Sequence, residues 1–134
     1  MKPASTEWAA KAEGDFQTAR RELAAPDAPN FDAVCFHAQQ CAEKYLKAVL
    51  VEKDRSFPKI HDLSALLDML LPSYPGWQGF RPECDALTDN AIEVRYPGFS
   101  ADREDAAAAL ATAQRLRRAV REALGLPSQS PASP

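Results

Sequence analysis

Three short clusters hold the side chains best suited to chemistry in this chain. His37, Gln40, Lys44 and Lys47 recur at steps of three or four residues, so a helix presents them on one side. Phe36 and Val51 flank that row, which sets it apart from a purely solvated face. An ordinary polar face is the competing reading, with Glu43 and Lys47 forming an i,i+4 pair worth a few tenths of a kcal/mol. His61-Asp62-Leu63 is the second cluster. Asp62 is explained by capping a helix start, because its carboxylate accepts backbone N–H groups at the positive end of the helix dipole. His61 has no such explanation, and a packing or surface role stands beside a chemical one. Arg95-Tyr96-Pro97 is the third. The planar fork of an arginine suits phosphate, and a neighbouring tyrosine can stack on a base. An arginine at a helix end can equally bond the terminal carbonyls.

Other chemistries are excluded by what is missing. There is no Glu-x-x-His pair of the kind that builds di-metal sites in helical bundles, and two histidines cannot make a multi-histidine metal centre. No Walker loop, Gly-x-Gly-x-x-Gly or Gly-x-Ser-x-Gly occurs. Cys35, Cys41 and Cys84 show no Cys-x-x-Cys or zinc-like spacing. Cys35 and Cys41 fall roughly 240° apart around a helix, so reduced, partly buried thiols are expected. Neither a metal nor a cofactor is implied.

The elements that must position these clusters are helical. Alanine supplies 25 of 134 residues, and it is the best helix former and poor in strands. The 11 prolines divide the chain into segments with helical periodicity. A first helix is expected over residues 5–23, capped by Ser5 or Thr6, with Trp8, Ala12, Phe16, Ala19 and Leu23 as its stripe. Asn30 caps a second, running to about Lys53, whose apolar face is Phe31, Val34, Ala38, Ala42, Tyr45, Leu46 and Val49. Asp62 caps a third over residues 63–71, and residues 72–80 read as a loop. Pro82 opens a fourth, carrying Leu87, Ala91, Ile92 and Val94, which Tyr96-Pro97-Gly98 stops. Ser100 is the expected cap of the last, with Leu110, Ala113, Leu116, Val120 and Leu124 inward. The pattern predicts an all-α, up-and-down bundle of four to five helices in one domain, residues 1–124. Gly125 suits a left-handed helix end, and 125–134 reads as a disordered Pro/Ser-rich tail.

Charge narrows the function classes. A formal net charge of −3 argues against a broad nucleic-acid surface but leaves room for a compact phosphate site. In the last helix, Asp102, Glu104 and Asp105 stand early while Arg115, Arg117, Arg118 and Arg121 stand late, complementing the dipole. Those arginines therefore read as a solvated helix end. No apolar run is long enough to span a membrane, and no signal-peptide pattern opens the chain, so a cytoplasmic protein is expected.

Taken together, the clusters resemble the HEPN family of small helical domains found in prokaryotes beside minimal nucleotidyltransferases. The resemblance rests on Phe36-His37-Ala38-Gln39-Gln40-Cys41-Ala42-Glu43-Lys44-Tyr45-Leu46-Lys47-Ala48, then His61-Asp62-Leu63, then Arg95-Tyr96-Pro97, and spans about residues 6–124. It implies a helical bundle forming a homodimer with its cleft at the contact between copies. It further implies metal-independent ribonuclease activity, nucleotide binding, or partnership with a nucleotidyltransferase in a toxin–antitoxin pair. The family's ribonuclease motif is an arginine and a histidine separated by four to six intervening residues. Arg95 matches the arginine, but Ser100, Ala101 and Asp102 occupy the histidine's place, and no histidine follows His61. A base of pKa near 7 suits that chemistry, and Asp102 is better explained by the acidic first turn of the last helix.

The leading expectation is thus a HEPN protein that binds nucleotide or RNA phosphate through Arg95 and Tyr96, lined by His37, Gln40, Lys44 and His61. Its alternatives are a ribonuclease using His37 or His61 as a displaced base, and a structural interaction module.

Overall fold

The computed structural model describes residues 1–128 as five α-helices and one 3-10 turn. Helix α1 (Pro3–Leu23) starts earlier than expected. Proline fits the first helical position, where no N–H partner is needed, so Pro3 and not Ser5 or Thr6 sets the start. Lys2 is its N-cap residue without a side-chain cap, and Ser5 is carried inside the helix and fully buried. The backbone N–H of Lys2 instead donates to the Glu52 carboxylate at 2.9 Å.

Helix α2 (Phe31–Glu52) is the axis of the bundle and packs against α1, α3 (Leu63–Leu70), α4 (Arg81–Glu93) and α5 (Arg103–Ala123). The Asn30 side chain caps it, accepting from the Ala33 N–H at 3.0 Å. Its C-terminal end closes with Asp54 at φ +56°: Asp54 N–H bonds the Val51 carbonyl and Arg55 N–H bonds that of Leu50. Asp62 caps α3 through the N–H groups of Ser64 and Ala65. Part of the expected loop at 72–80 winds into a 3-10 turn, Pro75–Phe80, over which Tyr74 and Trp77 stack with centroids 4.1 Å apart.

The last helix begins on Asp102 and not on Ser100. Asp102 accepts from the Asp105 N–H at 2.8 Å, and the Asp105 carboxylate accepts from the Asp102 N–H at 3.0 Å, a reciprocal pair satisfying two otherwise orphan donors. At its other end Gly125 adopts φ +71°, and Leu126 N–H returns to the Arg121 carbonyl. The expected tail falls partly outside the described residues, at 129–134. Its first part is held by α5, since Arg117 donates to the Ser128 carbonyl and Arg121 to that of Pro127.

Small residues let α1, α2 and α5 approach closely. Ala12 and Ala19 on α1, Ala38, Ala42 and Ala48 on α2, and Ala106 and Ala113 on α5 are fully buried. Larger apolar groups (Leu46, Leu50, Leu63, Leu66, Leu67, Leu116) fill the spaces between. The three thiols lie inside this core as free cysteines, buried more completely than expected. Burial pushes Cys35 up to about 11 and Cys84 to about 12, and holds Cys41 well above its usual value.

The arginine-rich end of α5 departs most from expectation. Arg117 and Arg121 are only 5% and 7% exposed. The Arg117 fork donates to both oxygens of Glu13 on α1, at 2.6 and 3.0 Å, and the Tyr45 hydroxyl donates to Glu13 at 2.6 Å. Arg121 donates to that same hydroxyl at 3.1 Å. Burial and the Glu13 carboxylate push the Tyr45 phenol up. These arginines are not a solvated helix end, because a carboxylate on α1 draws them inward. Arg115 and Arg118 remain exposed, and Arg115 pairs with Glu83 of α4.

Candidate functional site

Helix α2 carries a belt of polar groups in two hydrogen-bonded clusters, one on α1 and one around Glu43. His37 and Lys44, two turns apart, converge on one carboxylate of α1: His37 Nδ1 lies 2.8 Å from Asp15 Oδ1, and Lys44 Nζ 2.6 Å from Asp15 Oδ2. Gln40 donates to the Gln39 side-chain oxygen at 2.9 Å. Gln39 in turn donates to Glu43 at 3.1 Å and to the His61 carbonyl at 3.0 Å.

Glu43 is the centre of the second cluster. Its side chain is 5% exposed, yet it accepts from Lys47 at 2.9 Å, from Gln39, and from His61 Nδ1 at 2.9 Å. Burial alone would raise its carboxyl. The three hydrogen bonds and the Lys47 charge outweigh that effect and hold it below the usual carboxylate range. Lys47 is itself buried, with its ammonium over the rings of Trp8 and Phe57 at 5.6 and 5.5 Å. The pair is therefore not the surface i,i+4 contact expected from its spacing.

Arg95 and Tyr96 lie beyond the last residues of α4. The Arg95 guanidinium sits over the Phe36 ring at 5.9 Å, and Phe36 meets His37 edge-on at 5.3 Å. Among the described residues Arg95 has no carboxylate partner, and its side chain does not bond the terminal carbonyls of α4. Tyr96 is 64% exposed. Four of the six candidates thus lie in two hydrogen-bonded clusters along α2, His37 and Lys44 on Asp15, and Gln40 and His61 around Gln39 and Glu43, and Arg95 reaches the first through Phe36. Tyr96 stands beside Arg95 without entering the belt. A groove of about 490 Å³, lined by Ala4, Glu7, Trp8, Lys11 and Lys44, opens beside it.

Asp15, Gln39, Trp8 and Phe57 are the belt members that spacing did not single out. Gln39 had a local signal, being one turn from Glu43 on a helix already marked. Asp15 had none, because it joins the belt only when α1 packs on α2. Among the described residues no group of three or more His, Cys, Asp or Glu side chains could hold a metal ion. No helix there is long and apolar enough to cross a membrane.

The family model for the HEPN domain matches residues 5–123, nearly the whole described chain. The chain belongs to the HEPN domain family. No curated protein and no solved structure matches it. HEPN domains are generally nucleotide- or RNA-related and often form dimers. Within this HEPN domain, the matched span takes in the α2 belt, His61 and the Arg95-Tyr96 pair together.

Proposed function

We propose that this HEPN protein binds nucleotide or RNA phosphate along the partly exposed polar side of α2. Arg95 supplies the main phosphate fork and Tyr96 a stacking surface, while His37, Gln40, Lys44 and His61 line the remainder. The observation that carries this reading is the state of Arg95: a guanidinium without a carboxylate partner, poised over Phe36 beside the polar belt. A charged fork left unneutralised is available to a phosphate, whereas Arg81 and Arg115 are already paired with Asp68 and Glu83. The protein acts as a homodimer in the cytoplasm, as the partner of a minimal nucleotidyltransferase in a toxin–antitoxin-like pair. Titration of labelled ATP and of short RNA into the wild type and Arg95→Ala tests the site. A large loss of affinity in the variant is expected, and equal binding by both removes Arg95 from the site.

One observation favours a second reading, a metal-independent ribonuclease with a displaced histidine. His61 is fixed through Nδ1 to a buried carboxylate and keeps its other ring nitrogen outward, the arrangement a general base requires. In that reaction Nε2 takes the proton of the RNA 2′-hydroxyl as its oxygen attacks the adjacent phosphorus, the P–O5′ bond breaks, and the leaving 5′-oxygen takes a proton from water. Cleavage in EDTA by the wild type, lost in His61→Ala and retained in His37→Ala, is the expected result. Failure of the wild type to cleave varied RNAs eliminates it.

A further inference from the structure

His61 is an exposed side chain with an unusually determined orientation. Its side chain is 67% exposed, yet two buried groups of α2 hold it from behind. Gln39 donates to its backbone carbonyl at 3.0 Å, and Glu43 takes its Nδ1 at 2.9 Å. A carboxylate only accepts, so Nδ1 carries the hydrogen and Nε2 is the nitrogen left for solvent. Tethering the 53–62 connection to α2 needs only the backbone bond from Gln39. The bond to Glu43 does something more, because it selects which nitrogen faces outward.

We propose that Glu43 and His61 form a proton-linked oxyanion site, in which a phosphate docks on His61 Nε2 as the imidazole takes up one proton. Glu43 is the positioning residue. The inference rests on the phosphate-binding reading of the same face. A neutral imidazole held through Nδ1–H offers only a lone pair at Nε2, and phosphate oxygens are acceptors too. Two acceptors cannot share a hydrogen bond until a proton is added between them. Once it is added, the imidazolium lies between the phosphate and the Glu43 carboxylate, each accepting one N–H.

The surrounding charges permit this. From α2, Glu43 and Lys47 face the ring, and Lys47 is confined between Glu43 and the aromatic faces of Trp8 and Phe57. Asp62, next in the chain, has its carboxylate engaged by the N–H groups of Ser64 and Ala65. Asp85 of α4 is engaged by the Ser64 hydroxyl. Each aspartate is thus held in place through its Oδ1.

Calorimetry of wild type, His61→Gln and Glu43→Gln tests this, in buffers of different ionisation enthalpy. The probes are inorganic sulfate and a dinucleoside monophosphate, neither of which titrates between pH 5 and 8. Net proton uptake should accompany binding of either oxyanion by the wild type at pH 8. Uptake should disappear in His61→Gln, whose amide N–H can still donate to Glu43, and should fall in Glu43→Gln. The His61 ring signals in NMR should shift on adding either probe. Binding by the wild type without proton uptake overturns the proposal, as does the absence of any shift at His61. If nucleotide binding depends on Arg95 while uptake is zero, only this inference falls. If sulfate binds with uptake while Arg95→Ala binds nucleotide normally, Arg95 falls and this inference stands.

Discussion

Glu13 on α1 and Arg117 on α5, 104 residues apart in the chain, meet through two hydrogen bonds of 2.6 and 3.0 Å. The contact ties the first and last helices together across the Tyr45 hydroxyl of α2. Replacing Glu13 leaves a nearly buried guanidinium without its carboxylate. Glu13→Ala should therefore lose about 3 kcal/mol in urea unfolding, far more than removal of an exposed ion pair. Lys2→Ala, which breaks the exposed pair with Asp54, serves as control and should change stability by under about 1 kcal/mol.

The Glu43 carboxyl is held below its ordinary value in the folded chain. Such a group stabilises the fold above its unfolded pKa, near 4.3 for glutamate, and the contribution is lost as pH falls through the lower folded value. The stability gap between wild type and Glu43→Gln should be widest near neutrality and should narrow progressively below about pH 4. Urea midpoints at pH 7 and pH 3 read this directly, and a gap that widens in acid contradicts the ionised, triply bonded carboxylate.

Arg95 lies on the surface, and among the described residues its guanidinium has one ring contact, with Phe36. Arg95→Ala should shift unfolding stability by no more than about 0.5 kcal/mol. Its nucleotide affinity should fall about tenfold or more, since charge-assisted hydrogen bonds contribute about 1.5–3 kcal/mol. Affinity and stability measured on the same preparation separate a binding role from a structural one.

The start of α5 offers a paired test. Asp102→Ala removes a capping carboxylate and should cost about 1 kcal/mol. Ser100→Ala, two residues earlier on the surface, should be near neutral. Thermal melts of the two variants, compared with wild type, distinguish the positions.

Those two residues also show which parts of the fold were legible in the sequence. Asn30 and Asp62 could be identified as caps because a cap is a local device, complete within four residues. Ser100 and Asp102 both have capping side chains, and the choice fell to the reciprocal bond with Asp105. The α2 stripe was readable from its period, as was the clustering of His37, Gln40 and Lys44 on one side. Glu43 was harder. Its spacing to Lys47 marked a surface pair, whereas its burial comes from His61, 18 residues later, and from the aromatic rings above Lys47. Arg117 and Arg121 were hidden for the same reason, since helical polarity explains arginines at a C-terminal end until a distant carboxylate is brought against them.

The enclosed cysteines have a practical consequence. Thiolates are the reactive form, and Cys35, Cys41 and Cys84 are both inaccessible and held as thiols near neutrality. An alkylating reagent therefore reaches them only when the bundle opens, so the rate at which the mass rises records how often α2 and α4 part from their neighbours. A single cysteine introduced on the surface near Tyr96 could then be labelled in the presence of all three, giving a reporter beside Arg95 without altering the native core.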